Sequence, residues 1–267
     1  MRLFTIILLF LIFLPFFGEE PVRTKKNLVL IVASDKLLAY KAHTYSWRRY
    51  MHKFKDNFEC WFIKSDPDLE VDHKFEKDVL WVKEVDSLCP GVMDKTLHAM
   101  EVFLPRLDEF DFIIRPNQSS FLVFPILQKV LDKLPMEKTA AGHVSYVQFD
   151  GPKFPFLGGA CYILSKDLVR LVLDNKKSLI NLPYKLENWD DLVLTRFLDS
   201  QNIPLTKLPI AWLEGSFRRP LKIFDQFSEE IFHFRIKTYK DDYGRYRAEK
   251  IIHDELFQIY YGGLFSD

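Results

Sequence analysis

The chain has 267 residues, 48% of them apolar and 15% aromatic. That is enough to bury a sizeable core as one domain or two small ones, and it excludes disorder as a global description. Its 37 Lys and Arg balance 37 Asp and Glu, so no bulk field draws it to nucleic acid or to an anionic membrane; neutrality suits a small charged substrate held by a few local groups.

The N-terminus opens on Arg2 and an apolar run from Leu3 to Gly18, followed by Glu19 and Glu20. The run is shorter than the roughly 20 residues of a spanning helix and has the form of a secretory h-region. Residues 1–18 therefore read as a signal peptide cleaved near Gly18 or as a retained signal-anchor; a buried core helix is the bland alternative. Arg23, Lys25 and Lys26 follow the run and blur the orientation argument. Either leader puts the rest of the chain in the lumen of the secretory pathway, as a type II ER or Golgi membrane protein, or outside the cell. Contact with membrane would come only through this segment.

Residues 19–26 form a short polar stem, and no linker divides residues 27–267. Asn27–Ala33 (NLVLIVA) is a continuous apolar, β-branched run, as in a parallel strand buried on both faces. Residues 36–54 have helical spacing. Cys60–Lys64 and Val79–Val85 read as strands. Residues 92–104 form a helix that Pro105 ends. Phe112–Ile114 is a strand, 122–134 a helix, and a strand lies near Val144–Phe149. Gly158-Gly159 interrupts the chain before a strand at Ala160–Leu164. Ser165 caps a helix through about Leu173, Asn188 caps one from Trp189 to about Ser200, and the last helix runs from about Arg247 to Tyr261. Alternating strands and helices predict an α/β fold: a mixed, mostly parallel central sheet flanked by helices, in a single domain of two lobes.

Three cysteines cannot all pair internally. Cys60 and Cys161 sit in apolar runs as buried thiols, and Cys89 lies in a loop, free or bridged to Cys60. No CxxC or Cys/His spacing suggests zinc. No G-x-S-x-G, G-x-x-x-x-G-K-[ST] or G-x-G-x-x-G is present either.

In open parallel sheets ligands sit beyond the carboxyl ends of the strands. Here those ends are Ser34-Asp35, Ser65-Asp66 and Arg115–Ser119, all polar. In Asp111–Ser119, Asn117 and Ser119 can hydrogen-bond a ribose or sugar, and Arg115 can face a diphosphate. The bland reading is a strand-to-helix turn with Ser120 as the cap. Asn117-Gln118-Ser119 is also the chain's Asn-x-Ser sequon; a glycan there would put Asn117 on the surface and refute the site. Gly158-Gly159 lets backbone approach a ligand closely, or simply forms a bulge. Asp190-Asp191 offers a carboxylate to deprotonate a hydroxyl, or negative charge in a first helical turn. His233, in an aromatic strand, is a metal or diphosphate ligand or a structural residue.

Taken in order, these segments resemble the galactosyltransferase/fringe-like β-1,3-glycosyltransferase family, whose fold is GT-A. The resemblance covers about residues 27–210. It rests on Pro90-Gly91 with Lys95-Thr96-Leu97, on Asp111–Phe121, on Phe154–Ser165 (FPFLGGACYILS), and on Asp190-Asp191-Leu192 where the family has Glu-Asp-Val. It implies an inverting glycosyltransferase, a hexosyltransferase using a UDP-hexose or UDP-N-acetylhexosamine, with a glycan or glycoprotein acceptor. Asp191 is then the catalytic base, and Ser34, Lys95, Arg115, Asn117, Ser119, Gly158, Gly159 and Asp190 position the donor.

The family's Asp-x-Asp triplet holds Mn²⁺ or Mg²⁺ against the diphosphate. Neutral Asn117 and Ser119 occupy its outer positions here, and His233 is a loose analogue of the family's late histidine. The cysteine ahead of the family's glycine pair is missing. Three readings follow: metal-assisted transfer, metal-independent transfer with Arg115 supplying the charge, and a catalytically inactive GT-A-fold protein that binds a glycan or a protein.

Overall fold

The computed structural model of the protein describes residues 26–88, 90–148, 152–180, 190–214, 230–238 and 240–264. The leader, most of the stem, Cys89, Asn188 and Trp189 lie outside these residues. Eight strands form the central sheet. They are β1 (Asn27–Val32), β2 (Phe58–Ser65), β3 (His73–Glu76), β4 (Val79–Val82), β5 (Phe112–Pro116), β7 (Ala140–Val147), β8 (Phe154–Ser165) and β9 (Leu205–Lys207), in the order β3-β4-β2-β1-β5-β8-β7-β9. The run β4-β2-β1-β5 is parallel, β8 is antiparallel to both its neighbours, and β7 pairs parallel with β9.

The apolar run of β1 is buried along its whole length because both faces are covered. Val29 and Ile31 point into one core, with Trp47 and Tyr50 of α1 (Leu38–Tyr50) and Ile252, Leu256 and Tyr261 of α7 (Asp242–Tyr261). Leu28, Leu30 and Val32 point into the other. There they meet Met93, Leu97 and Met100 of α2 (Gly91–Phe103), Leu168 and Val172 of α4 (Lys166–Asp174), and Phe197 and Leu198 of α6 (Asp190–Ser200). Among the described residues there are two further, short α-helices, α3 (Phe124–Leu131) and α5 (Lys176–Ile180).

Several details differ from the sequence reading. Ser120 caps no helix: Ser120–Leu122 is β6, which pairs antiparallel with β11 (His233–Lys237), and β11 pairs parallel with β10 (Ala211–Glu214) to make a second, three-stranded sheet. The helix expected over 122–134 begins only at Phe124, with Pro125 in its first turn. The Ser165 hydroxyl makes no capping bond and instead accepts from the Thr139 N–H at 3.0 Å. The last helix starts five residues early, because the Asp241 side chain caps it by accepting from the Gly244 N–H at 2.7 Å. The strand expected over Val79–Val85 ends at Val82. Cys161 is a buried thiol as expected, while Cys60 is only half-buried; both are unbridged.

Gly158 and Gly159 do not end a strand. They lie inside β8, at a bulge: residues 140–142 of β7 pair with 162–164 and residues 144–147 pair with 154–157, so residues 158–161 face the single residue His143. A bulge of this kind releases backbone groups from the ladder and re-aims side chains. On the other edge of β8, Cys161 and Tyr162 remain paired with β5.

Candidate active site

The carboxyl ends of β1 and β5, the bulge of β8, the start of α6 and the small sheet enclose a cleft of about 730 Å³. Ser34, Lys95, Arg115, Asn117, Ser119, Gly158, Gly159, Asp190 and Asp191 all line it. His233 does not. It is fully buried, with Nε2 2.9 Å from the Ser120 hydroxyl, and burial pushes its pKa down to about 3, helped by Arg235 and His143. It therefore sits as a neutral structural residue. Ser65 and Asp66 also lie outside the cleft lining.

The bulge organises the chemistry. Freed from β7, the Gly159 N–H donates to Asp191 Oδ2 at 2.6 Å, and the Gly159 carbonyl accepts from Arg115 Nη1. The Leu192 N–H donates to Asp191 Oδ1 at 2.9 Å. The Thr195 hydroxyl donates to the Asp191 carbonyl at 2.8 Å and accepts from the Leu157 N–H at 3.0 Å, which ties α6 to β8. A Cβ on Gly159 would stand 3.0 Å from Asp191 Oδ2, so any larger residue there would have to push the carboxylate aside. Burial raises the Asp191 pKa to about 6, and the neighbouring Asp190 adds to the rise. The carboxylate is thus fixed, faces the cleft, and is ionised at neutral pH while still basic enough to take a proton.

Arg115 is 1% exposed. It donates to Asp190 Oδ2 at 2.8 Å and to Asn117 Oδ1 at 3.2 Å, and its guanidinium lies 5.3 Å from the Tyr162 ring centroid. Asn117 continues the end of β5: its N–H donates to the Ala160 carbonyl at 2.8 Å. The sequon asparagine thus stands half-buried in the cleft wall. The Ser119 hydroxyl accepts from Arg235 Nη1. Gln118, buried between them, accepts from the Ser34 N–H at 3.1 Å and donates to the Tyr40 carbonyl at 2.8 Å, so β1, β5 and α1 meet at one side chain.

Opposite, the Ser34 hydroxyl donates to Asp86 Oδ2 at 2.7 Å. Lys95, buried beneath, donates to Asp86 Oδ1 at 2.8 Å and to the Ala33 carbonyl at 2.9 Å. Burial lowers the Lys95 pKa; burial alone would raise that of Asp86, but Lys95 and Ser34 hold it below its ordinary value.

Six basic side chains, Lys36, Lys95, Arg115, Arg235, Lys237 and Arg245, face three carboxylates, Asp86, Asp190 and Asp191. This excess of positive charge suits a polyanion. The sequence reading missed Asp86, Gln118, His143, Trp212, Arg235, Lys237 and Arg245. Trp212 lines the cleft 41% exposed, its ring centroid 5.1 Å from that of His143. The alternation of Arg235 and Lys237 in Phe234–Lys237 was the available signal for those two; the placement of His143 and Trp212 depends on the bulge and the second sheet and left none.

As a divalent-ion site the expected residues do not fit. Asn117 and Ser119 offer neutral oxygens, weak donors for such an ion, and each already accepts from a guanidinium. Among the described residues no group of three or more His, Cys, Asp or Glu side chains is placed to hold a metal. Nor, among the same residues, is any helix long and apolar enough to cross a membrane.

No protein-family model matches the chain, and no curated protein matches it. Among solved structures it is similar to a glycosyltransferase involved in the glycosylation of the major capsid of PBCV-1. The TM-score is 0.52 at 6% identity, over 85% of this chain and 99% of that one. A 4-diphosphocytidyl-2C-methyl-D-erythritol synthase from Anaerococcus prevotii aligns with a TM-score of 0.41 at 12% identity, over 70% of this chain and 89% of that one, too low a score to build on. At such low identity the first likeness shows the fold alone: the chain has a GT-A-like α/β fold.

Proposed function

We propose that the chain is an inverting glycosyltransferase that transfers a sugar from a UDP-sugar, a UDP-hexose or UDP-N-acetylhexosamine, to a hydroxyl of a glycan or glycoprotein in the secretory pathway. One observation carries the reading. Asp191 presents a backbone-anchored carboxylate to a cleft that is rich in cations and built at the carboxyl ends of β1 and β5. The GT-A-like fold supports it, as does the likeness to the PBCV-1 protein, which is a glycosyltransferase. In this reading Asp191 takes the proton of the acceptor hydroxyl as its oxygen attacks the anomeric carbon. The bond from that carbon to the phosphate oxygen breaks, and its electron pair leaves with UDP. Arg115, fixed by Asp190 and Gly159, orients the donor; Ser34 and Lys95 border the nucleotide end.

The test is release of UDP from a panel of UDP-sugars with mixed glycan acceptors, comparing the parent with Asp191→Asn. Loss of turnover with retained UDP binding supports the base assignment, whereas retained transfer rules it out. A second reading is favoured by the neutral Asn117 and Ser119: a catalytically inactive GT-A-fold protein that binds a glycan or a protein. It predicts no turnover with any donor.

A further inference from the structure

Some of the charge in the cleft is paired within it. Lys95 and Lys36 face Asp86, and Arg115 faces Asp190. The other cations come from the small sheet and α7. Arg235 and Lys237 stand two residues apart on β11 and share a face, while Phe234 and Ile236 between and beside them are buried on the opposite one. Arg235 lies across from Ser120 in the β6–β11 register and donates to the Ser119 hydroxyl. Arg245 is aimed by Glu249, which accepts from its Nε at 3.0 Å. Glu249 is itself fixed by the Thr238 N–H at 2.7 Å and by His43 at 2.7 Å. Arg235 therefore stands against the Ser119 hydroxyl, one of the two oxygens that do not suit a divalent ion, and Lys237 and Arg245 line the same cleft.

Resting on the reading of the cleft as a nucleotide-sugar site, we infer that Arg235 and Lys237 of β11, with Arg245, hold the donor's diphosphate in place of a divalent cation. Guanidinium and ammonium groups make short, charge-assisted bonds to phosphate oxygens. When the bond from the anomeric carbon to the phosphate oxygen breaks, the electron pair and the added negative charge remain on the diphosphate. Fixed positive groups on β11 stabilise that charge without reorganising. The acceptor proton goes to Asp191, so the step balances with no co-reactant.

The experiment is calorimetric titration of inorganic pyrophosphate, of UDP and of GDP into the full chain, in EDTA and again with Mn²⁺. It compares the parent with Lys237→Ala, Arg235→Ala and the conservative Arg235→Lys; Lys237 is exposed, so its truncation leaves the core untouched. Pyrophosphate and UDP are expected to bind in EDTA with affinity that Mn²⁺ hardly changes. Each alanine substitution should weaken pyrophosphate by roughly tenfold, the loss of one hydrogen bond to a charged group, with Arg235→Lys in between. Binding that requires Mn²⁺, or that neither alanine substitution weakens, overturns the inference and leaves the glycosyltransferase reading standing. Pyrophosphate binding in EDTA without any preference for UDP over GDP supports the β11 site and counts against the UDP-sugar reading alone. No binding of pyrophosphate, UDP or GDP in any condition overturns both.

Discussion

Replacing Asp191 by Asn isolates what ionising this carboxylate costs the fold. Asp191 titrates at about 6, where an ordinary Asp titrates at 3.8, because it is buried and stands beside Asp190. A folded-state pKa raised above the unfolded one means that the bound proton stabilises the fold. That contribution is complete below pH 3.8 and is lost as pH rises through about 6. At about 1.4 kcal/mol per pH unit, the interval from 3.8 to about 6 amounts to about 3 kcal/mol. The amide carries no such cost and keeps an oxygen to accept from the Gly159 N–H. From pH 4 to pH 7 the stability of Asp191→Asn relative to the parent should therefore rise by about 2–3 kcal/mol, or roughly 5–10 °C in Tm for a chain of this size. Thermal and urea unfolding of both proteins, followed by far-UV circular dichroism at a series of pH values, gives this difference; common groups that do not interact with Asp191 cancel. A parent–variant difference independent of pH would show that ionising Asp191 costs the fold nothing, and one that moves toward the parent as pH rises would reverse the sign of the effect.

If Asp191 is the base proposed above, kcat/KM is expected to rise with pH, with an acid limb centred near 6, and initial rates from pH 4.5 to 8 check it. Gly159→Ala places a Cβ 3.0 Å from Asp191 Oδ2 and 3.4 Å from its Cγ; overpacking of this kind costs about 1–3 kcal/mol, and turnover should fall more than UDP affinity because the base is displaced. Glu249 is fully buried and held by His43, Arg245 and Thr238. Glu249→Ala leaves those partners uncompensated and should cost about 3–5 kcal/mol in urea denaturation, with Glu249→Gln costing less.

Much of the frame is legible in the sequence because burial on both faces leaves a plain mark. β1 reads as an apolar run since its alternate residues enter two separate cores, and β5 ends in the polar Arg115–Ser119 segment that indeed lines the cleft. Asp190 and Asp191 read either as helix-start residues or as site residues; α6 begins at Asp190, and its first turn faces the bulge and lines the cleft, so the two readings are compatible. The glycine pair likewise is both bulge and cleft wall. The second sheet is what the sequence conceals. Ser120–Leu122 is three residues long, and its partner β11 is more than a hundred residues away, so no local pattern marks the pairing. That pairing buries His233 and brings Arg235 and Lys237 to the cleft. Trp212 comes with β10 for the same reason. Asp86 lies in an irregular segment, and only its contacts with Lys95, Ser34 and Lys36 give it a role.

Whether the cleft between β1, β5 and the β8 bulge takes a uridine nucleotide decides the proposed function, and the thermal stability of the protein with UDP, using GDP and CMP as controls, measures it. A ligand at 100 times its Kd stabilises the native state by about 2.7 kcal/mol, which is a shift of roughly 5–10 °C at this size. A uridine nucleotide site gives a shift of that order for UDP, much smaller shifts for GDP and CMP, and no loss of the UDP shift in Asp191→Asn. Equal melting temperatures with and without every nucleotide, at concentrations up to several millimolar, would contradict it.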